Sequence, residues 1–84
     1  MNTYKFTIPN CDANIFRCDV HDEKGNFLYR REIHTYDKNL SDEFNITILA
    51  KKMATILNVE ERDLYIPIHT AVLLGESTWQ NSVY

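Results

Sequence analysis

Hydrophobic and polar positions alternate at the amino terminus: Tyr4, Phe6 and Ile8 fall on one side, Thr3, Lys5 and Thr7 on the other. A period of two predicts a half-buried β-strand, which Pro9 ends. After a polar loop over 10–14, apolar residues resume over 15–36 in two runs flanking Asp22-Glu23-Lys24-Gly25-Asn26. This predicts a β-hairpin in which Gly25 supplies the positive φ of the turn. With Glu23 opposite Asn26, Val20 meets Tyr29 and Phe16 meets Ile33 on one face, while Arg17 meets Glu32 and Asp19 meets Arg30 on the other. A slip of one residue would set Arg17 against Arg31 and Phe16 against Glu32. Like charges repel across a strand pair and opposite charges attract, so pairing chemistry selects the first register.

The period then becomes helical. Ile46, Leu49, Ala50, Met53, Ile56 and Leu57 recur at the spacing of one apolar stripe, with Thr47, Lys51, Lys52 and Thr55 largely on the other side. Ser41 is the expected N-cap, and Asp42 and Glu43 occupy the first turn, where the helix dipole favours anions. Asn58 is the expected left-handed terminator. Beyond it, Leu64, Ile66 and Ile68 alternate with Tyr65 and Pro67, predicting a strand that the proline confines to an edge or a bulge. Residues 69–74 fit either a further strand or a short helix, and residues 75–84 read as a C-terminal tail. The element order is β-β-β-α-β, with a fifth strand if 69–74 is extended. One helix stripe over one sheet face makes an α+β fold: a two-layer sandwich with an antiparallel sheet of four or five strands on one α-helix, held in a single domain over 1–74.

Composition bears on partners more than on fold. The chain has 84 residues, a net charge of −3 and two residues each of glycine, proline and cysteine. Residues 1–40 carry six basic and six acidic side chains, whereas residues 41–84 carry three basic and six acidic. The acidic excess therefore belongs to the second half, and direct nucleic-acid binding, which calls for a basic field, is not expected of the chain as a whole. The first residues have no apolar core of signal-peptide length, and the longest apolar run is Ala71–Leu74. Neither a membrane span nor a secretory signal is expected, so the location expected is cytoplasmic, with the cysteines as free thiols.

Four side chains superficially suggest zinc: Cys11, Cys18, His21 and His34. Their spacing matches no familiar ligand pattern, and Cys18 and His21, three apart on a strand, point to opposite faces. No metal and no cofactor are expected. Cys11 is the one candidate nucleophile in a loop, with no accompanying catalytic motif, and two distant glycines build no phosphate-cradling loop. The chain reads as a non-enzyme. Asn45-Ile46-Thr47 spells a glycosylation sequon but falls inside the predicted helix and is set aside.

The remaining signals concern surfaces. Arg17, Arg30 and Tyr36 give the outward sheet face a basic–aromatic character, the basis of an alternative reading as a nucleic-acid-binding domain. Ile15, Leu28, His34 and Tyr36, with Tyr65 adjacent, predict an apolar patch on that face. Arg31 falls on the inward face beside Cys18, where it either reaches round to water or anchors a partner. Trp79, Val83 and Tyr84 either cap the core or anchor an interface. Glu43, Glu60, Glu61, Asp63 and Glu76 are the acidic side chains available to a basic partner. Edge strands also invite homodimerisation, with Pro67 guarding only one of them.

In size, acidity and hairpin-plus-helix architecture the chain resembles the small inhibitors encoded by phages and other mobile elements, among them anti-CRISPR and anti-restriction proteins. The resemblance covers the whole chain without a shared motif. It implies a protein-binding module that blocks a host defence nuclease, or another nucleic-acid-handling complex, by occluding its surface. The partner-binding residues expected on this reading are Glu43, Glu60, Glu61, Asp63, Arg31, Tyr36 and Trp79.

Overall fold

Four strands form one antiparallel sheet in the computed structural model, which describes residues 1–9 and 14–81. Strand β1 (Thr3–Thr7), β2 (Phe16–His21) and β3 (Phe27–Ile33) are followed by helix α1 (Asp42–Leu57). A 3-10 turn (Glu61–Leu64) leads into helix α2 (Tyr65–Leu74), and β4 (Glu76–Gln80) completes the sheet in the order β3-β2-β1-β4. Both helices lie on one face, α1 towards β3 and α2 over β1 and β4. The fold is α+β, as the alternation and helical stripe predict.

The hairpin register follows the pairing chemistry. Phe16 lies opposite Ile33 and Val20 opposite Tyr29, while Arg17 pairs with Glu32 and Asp19 with Arg30. The ion pairs close at 2.9 Å for Arg17–Glu32 and 2.6 Å for Arg30–Asp19. At the tip the register differs from expectation. His21 pairs with Phe27 rather than Leu28, so Leu28 is the extra residue of a bulge. Asp22, not Glu23, lies opposite Asn26, and its carboxylate accepts from the backbone N–H groups of Lys24 and Asn26. That carboxylate satisfies donors the tight turn leaves unpaired, and Gly25 adopts φ 85° as the turn requires.

Helix α1 begins and ends as its sequence predicts. Ser41 Oγ accepts from Phe44 N at 3.2 Å, and Asn58 takes φ 58° with its N–H on Ala54 O. The buried stripe is rotated from the expected one: Asn45 and Ala54 are buried, whereas Ile56 is exposed. Asn45 is 2% exposed because its amide clamps the connector. Oδ1 accepts from Asp37 N at 3.2 Å and Nδ2 donates to Asp37 O at 2.7 Å.

Two expectations are corrected in the second half. Residues 64–68 are not a strand: they lead into and open α2, which also takes in 69–74. Leu64, Pro67, Ile68 and Ala71 are buried at helical spacing, a pattern that the shorter Leu64/Ile66/Ile68 alternation obscures. Pro67 stands in the first turn, where its missing N–H costs no helical hydrogen bond, so it guards no sheet edge. The fourth strand comes instead from residues 76–80, read as tail. Gly75 ends α2 at φ 90° with its N–H on Ala71 O, turning the chain so that β4 pairs along β1. Trp79 lies opposite Tyr4, and Ser77 lies opposite Phe6 while its hydroxyl donates to Pro67 O.

The core sits between sheet and helices. Tyr4, Phe6, Phe16, Cys18 and Val20 from the two central strands meet Leu49, Met53, Leu57, Leu64 and Ile68. Phe6 stacks on Phe16 with ring centroids 5.8 Å apart.

Candidate interaction surface

Helix α2 is apolar on more than its buried side. Leu64, Pro67, Ile68 and Ala71 face the core, yet Ile66 is 80% exposed, Leu73 58% and Leu74 76%. Ile66 and Leu73, seven residues apart, lie along one outward line of the helix with His69 and Thr70 between them. A ten-residue helix that is apolar nearly all round is ordinarily covered on both sides.

Helix α1 extends this strip. Glu43, Ile46 and Thr47 of α1 and Tyr65, Ile66 and His69 of α2 line an open groove of about 480 Å³. A second hollow of about 330 Å³ adjoins it, lined by Ser41, Glu43, Phe44, Thr47 and Ile48. The two share Glu43 and Thr47, so they form one continuous surface, and no lysine or arginine lines either. Thr47 donates its hydroxyl back to Glu43 O at 2.9 Å, so that hydroxyl proton is already used within the helix. Tyr65 donates its phenolic O–H to Glu61, which raises the phenol's pKa and keeps it a donor. Glu61 is thereby held at the Tyr65 end of the groove.

The expected partner-binding residues are dispersed unevenly. Glu60, Glu61 and Asp63 gather at the 3-10 turn, where Glu60 and Asp63 line a polar hollow with Asn58, Val59 and Asn81. Arg31 lies on edge strand β3, away from α2, with its guanidinium 4.4 Å over the Tyr29 ring. Tyr36, expected on the outward face, is 9% exposed within the core. Trp79 is half-buried on β4, 5.0 Å from the Tyr4 ring, and packs against the core. The outward apolar patch expected around Ile15, Leu28, His34, Tyr36 and Tyr65 does not assemble, because Tyr36 turns inward and Tyr65 belongs to a helix. Cys11, Val83 and Tyr84 lie outside the described residues.

The sequence pattern does not mark Ile66, Leu73, Leu74 or Phe44 as surface residues, and its alternation sets Ile66 on a strand beside Leu64 and Ile68. Their signal was an excess: between Leu64 and Leu74, apolar residues outnumber what one helix face can bury. On β2, Cys18 points into the core and burial raises its thiol pKa to about 12, whereas His21 points outward against Phe27. No helix is long and apolar enough to cross a membrane among the described residues. The chain matches no known family model, and neither a curated protein nor a solved structure resembles it closely enough to be matched.

Proposed function

We propose that the chain is a non-enzymatic protein-binding module whose contact surface is the apolar strip of α1 and α2. We further propose that it acts by occlusion, as an inhibitor of a nucleic-acid-handling enzyme of the kind that phage and mobile-element proteins block. The observation that carries the contact surface is the exposure of Ile66, Leu73 and Leu74 on a helix whose other face is already buried. Covering one such side chain contributes about 1.5 to 3 kcal/mol, so a partner has a large incentive to seat there. The inhibitor reading draws support from the small acidic chain and from the carboxylates of Glu43 and Glu61 beside the strip, which suit a surface evolved to hold nucleic acid.

Direct nucleic-acid binding has weaker support. The guanidinium groups of Arg17 and Arg30 are held by Glu32 and Asp19, and Tyr36 is absent from the open sheet face. The test is affinity capture from the producing cells, comparing the wild-type chain with I66S/L73S after circular dichroism has established that both fold. The expected result is a specific partner held by the wild type and lost by the variant, with any inhibition of that partner lost in parallel. Equal capture by the two chains overturns the assignment of the surface.

A further inference from the structure

We infer that the occupant of the α1–α2 strip is a basic amphipathic helix on the partner protein. The inference rests on the contact surface proposed above and concerns only what covers it. Shape is the first argument. The groove runs between two helices and offers no free strand edge, so an extended segment would gain no backbone hydrogen bonds there. Ile66 and Leu73 stand two helical turns apart, about 10 Å along α2, which is the spacing of apolar positions i and i+7 on a facing helix. Ile46 supplies an apolar floor across the groove, and Phe44 and Ile48 prolong it along α1.

Charge is the second argument, and it selects among occupants of similar shape. Glu43 lines both hollows and Glu61 holds the Tyr65 hydroxyl. Beyond it the 3-10 turn carries Glu60, Glu61 and Asp63 against Arg62, and Lys51 shares a hollow with Glu60 and Glu61, so the border is acidic on balance. His69 is the sole titratable group in the groove capable of positive charge. A helix with lysines or arginines flanking its apolar stripe would meet these carboxylates. A second copy of the chain would not: a two-fold contact through this strip brings the same acidic border against itself. Phosphate-bearing ligands, whether nucleic acid or an anionic lipid surface, meet the same repulsion.

The full-length chain can be titrated by fluorescence anisotropy against three labelled peptides, each about four helical turns long. One carries leucines at i, i+3, i+7 with lysine and arginine flanks, the second has the same leucines with glutamate flanks, and the third is the first with its order scrambled. The basic amphipathic peptide is expected to bind at least about tenfold more tightly than either other, a difference of about 1.4 kcal/mol. I66S/L73S should abolish that binding. E43Q/E61Q should weaken it several-fold and flatten its dependence on salt, while leaving the fold intact by circular dichroism. Equal binding of the basic and acidic peptides, equal binding of the scrambled peptide, or binding of none overturns the inference. So do two other outcomes: a dimer in light scattering that I66S/L73S dissolves, or wild-type binding to phosphatidylcholine–phosphatidylserine vesicles that the same variant loses. If the peptides fail to discriminate while I66S/L73S still loses the captured partner, only the occupant is wrong. If I66S/L73S retains both the peptide and the partner, the contact surface itself falls.

Discussion

Trp79 faces Tyr4 across the β1–β4 pairing with ring centroids 5.0 Å apart, and this contact fastens the last described strand to the sheet. Strand β4 has an open outer edge and an exposed–half-buried alternation, so few other side chains hold it. Below it, Ile8 N donates to Gly75 O at 3.1 Å, and above it Asn81 N donates to Asn2 O at 3.3 Å.

Trp79→Ala should therefore destabilise the chain by about 2 kcal/mol, less than a fully buried tryptophan costs because one side of the indole is in water. For a domain of this size the melting temperature should fall by roughly 10 °C. Thermal and urea unfolding followed by circular dichroism would measure it, since the variant removes the chain's one tryptophan. A loss within about 0.5 kcal/mol, the range of an ordinary surface substitution, would mean that β4 docks without its indole.

The same contact marks where the sequence stops being legible. The three amino-terminal strands could be read because alternation, turn residues and opposite charges at Arg17/Glu32 and Asp19/Arg30 agree with one another. Helix α1 could be read because Ser41 and Asn58 punctuate it. Strand β4 could not: Glu76-Ser77-Thr78-Trp79-Gln80 has one apolar residue, and it is a strand because β1 offers it an edge. Helix α2 was hidden by a local coincidence, Ile66 falling two residues from both Leu64 and Ile68. The exposed apolar strip was hidden with it, since an outward Ile66 has meaning only once the helix is known. The acidic border was legible, because charge can be counted along a chain without knowing the fold.

Asp19 should give the chain a measurable acid sensitivity. The Arg30 hydrogen bond holds its carboxyl below the usual range, with the charges of Arg30, Arg17 and His21 acting in the same direction against partial burial. A carboxyl depressed in the folded state stabilises fully above its unfolded pKa, near pH 4, and that stabilisation is lost as pH falls through the folded value. Asp22, depressed chiefly by the backbone N–H of Asn26, acts in the same direction. The wild-type melting temperature should accordingly drop below about pH 4. Asp19→Asn should start a few degrees lower at neutral pH and show a shallower drop. Parallel acid profiles for the two proteins would remove the ion pair from the account.

Cys18 should respond in the opposite pH range. Its thiol is fully buried, and burial followed by the nearby Asp19 charge raises its pKa to about 12. A group raised in the folded state stabilises fully below its unfolded pKa, about 8.5 for a thiol, and loses that contribution as pH rises towards the folded value. In a Cys11→Ser background, a thiol reagent at pH 8 should leave the native chain unmodified and react fully once urea unfolds it. Cys18→Ala should cost about 1 to 2 kcal/mol at neutral pH through lost packing, while removing part of the alkaline decline. Rapid modification of the native chain would place the thiol in water and contradict its burial.

Asn45 offers the sharpest test of the connector between sheet and helix. Both ends of its amide are used on Asp37, Oδ1 accepting the backbone N–H and Nδ2 donating to the carbonyl. Asn45→Ala should cost about 2 kcal/mol, because it removes two hydrogen bonds at a buried site. Asn45→Asp keeps the acceptor but sets a carboxylate oxygen where the amide donor met Asp37 O at 2.7 Å. Burial and that carbonyl should raise the new carboxyl's pKa, since its protonated form can donate and its ionised form repels. By the linkage rule the variant should approach wild-type stability below about pH 4 and lose it as pH rises, exceeding the alanine variant's loss near neutrality. Urea midpoints across that range would measure it. The trend runs opposite to the one expected for Asp19, so a pH series referred to the wild type separates the two carboxyls. An Asn45→Asp variant whose deficit relative to wild type is the same at neutral pH as in acid would show that the amide does not hold the connector.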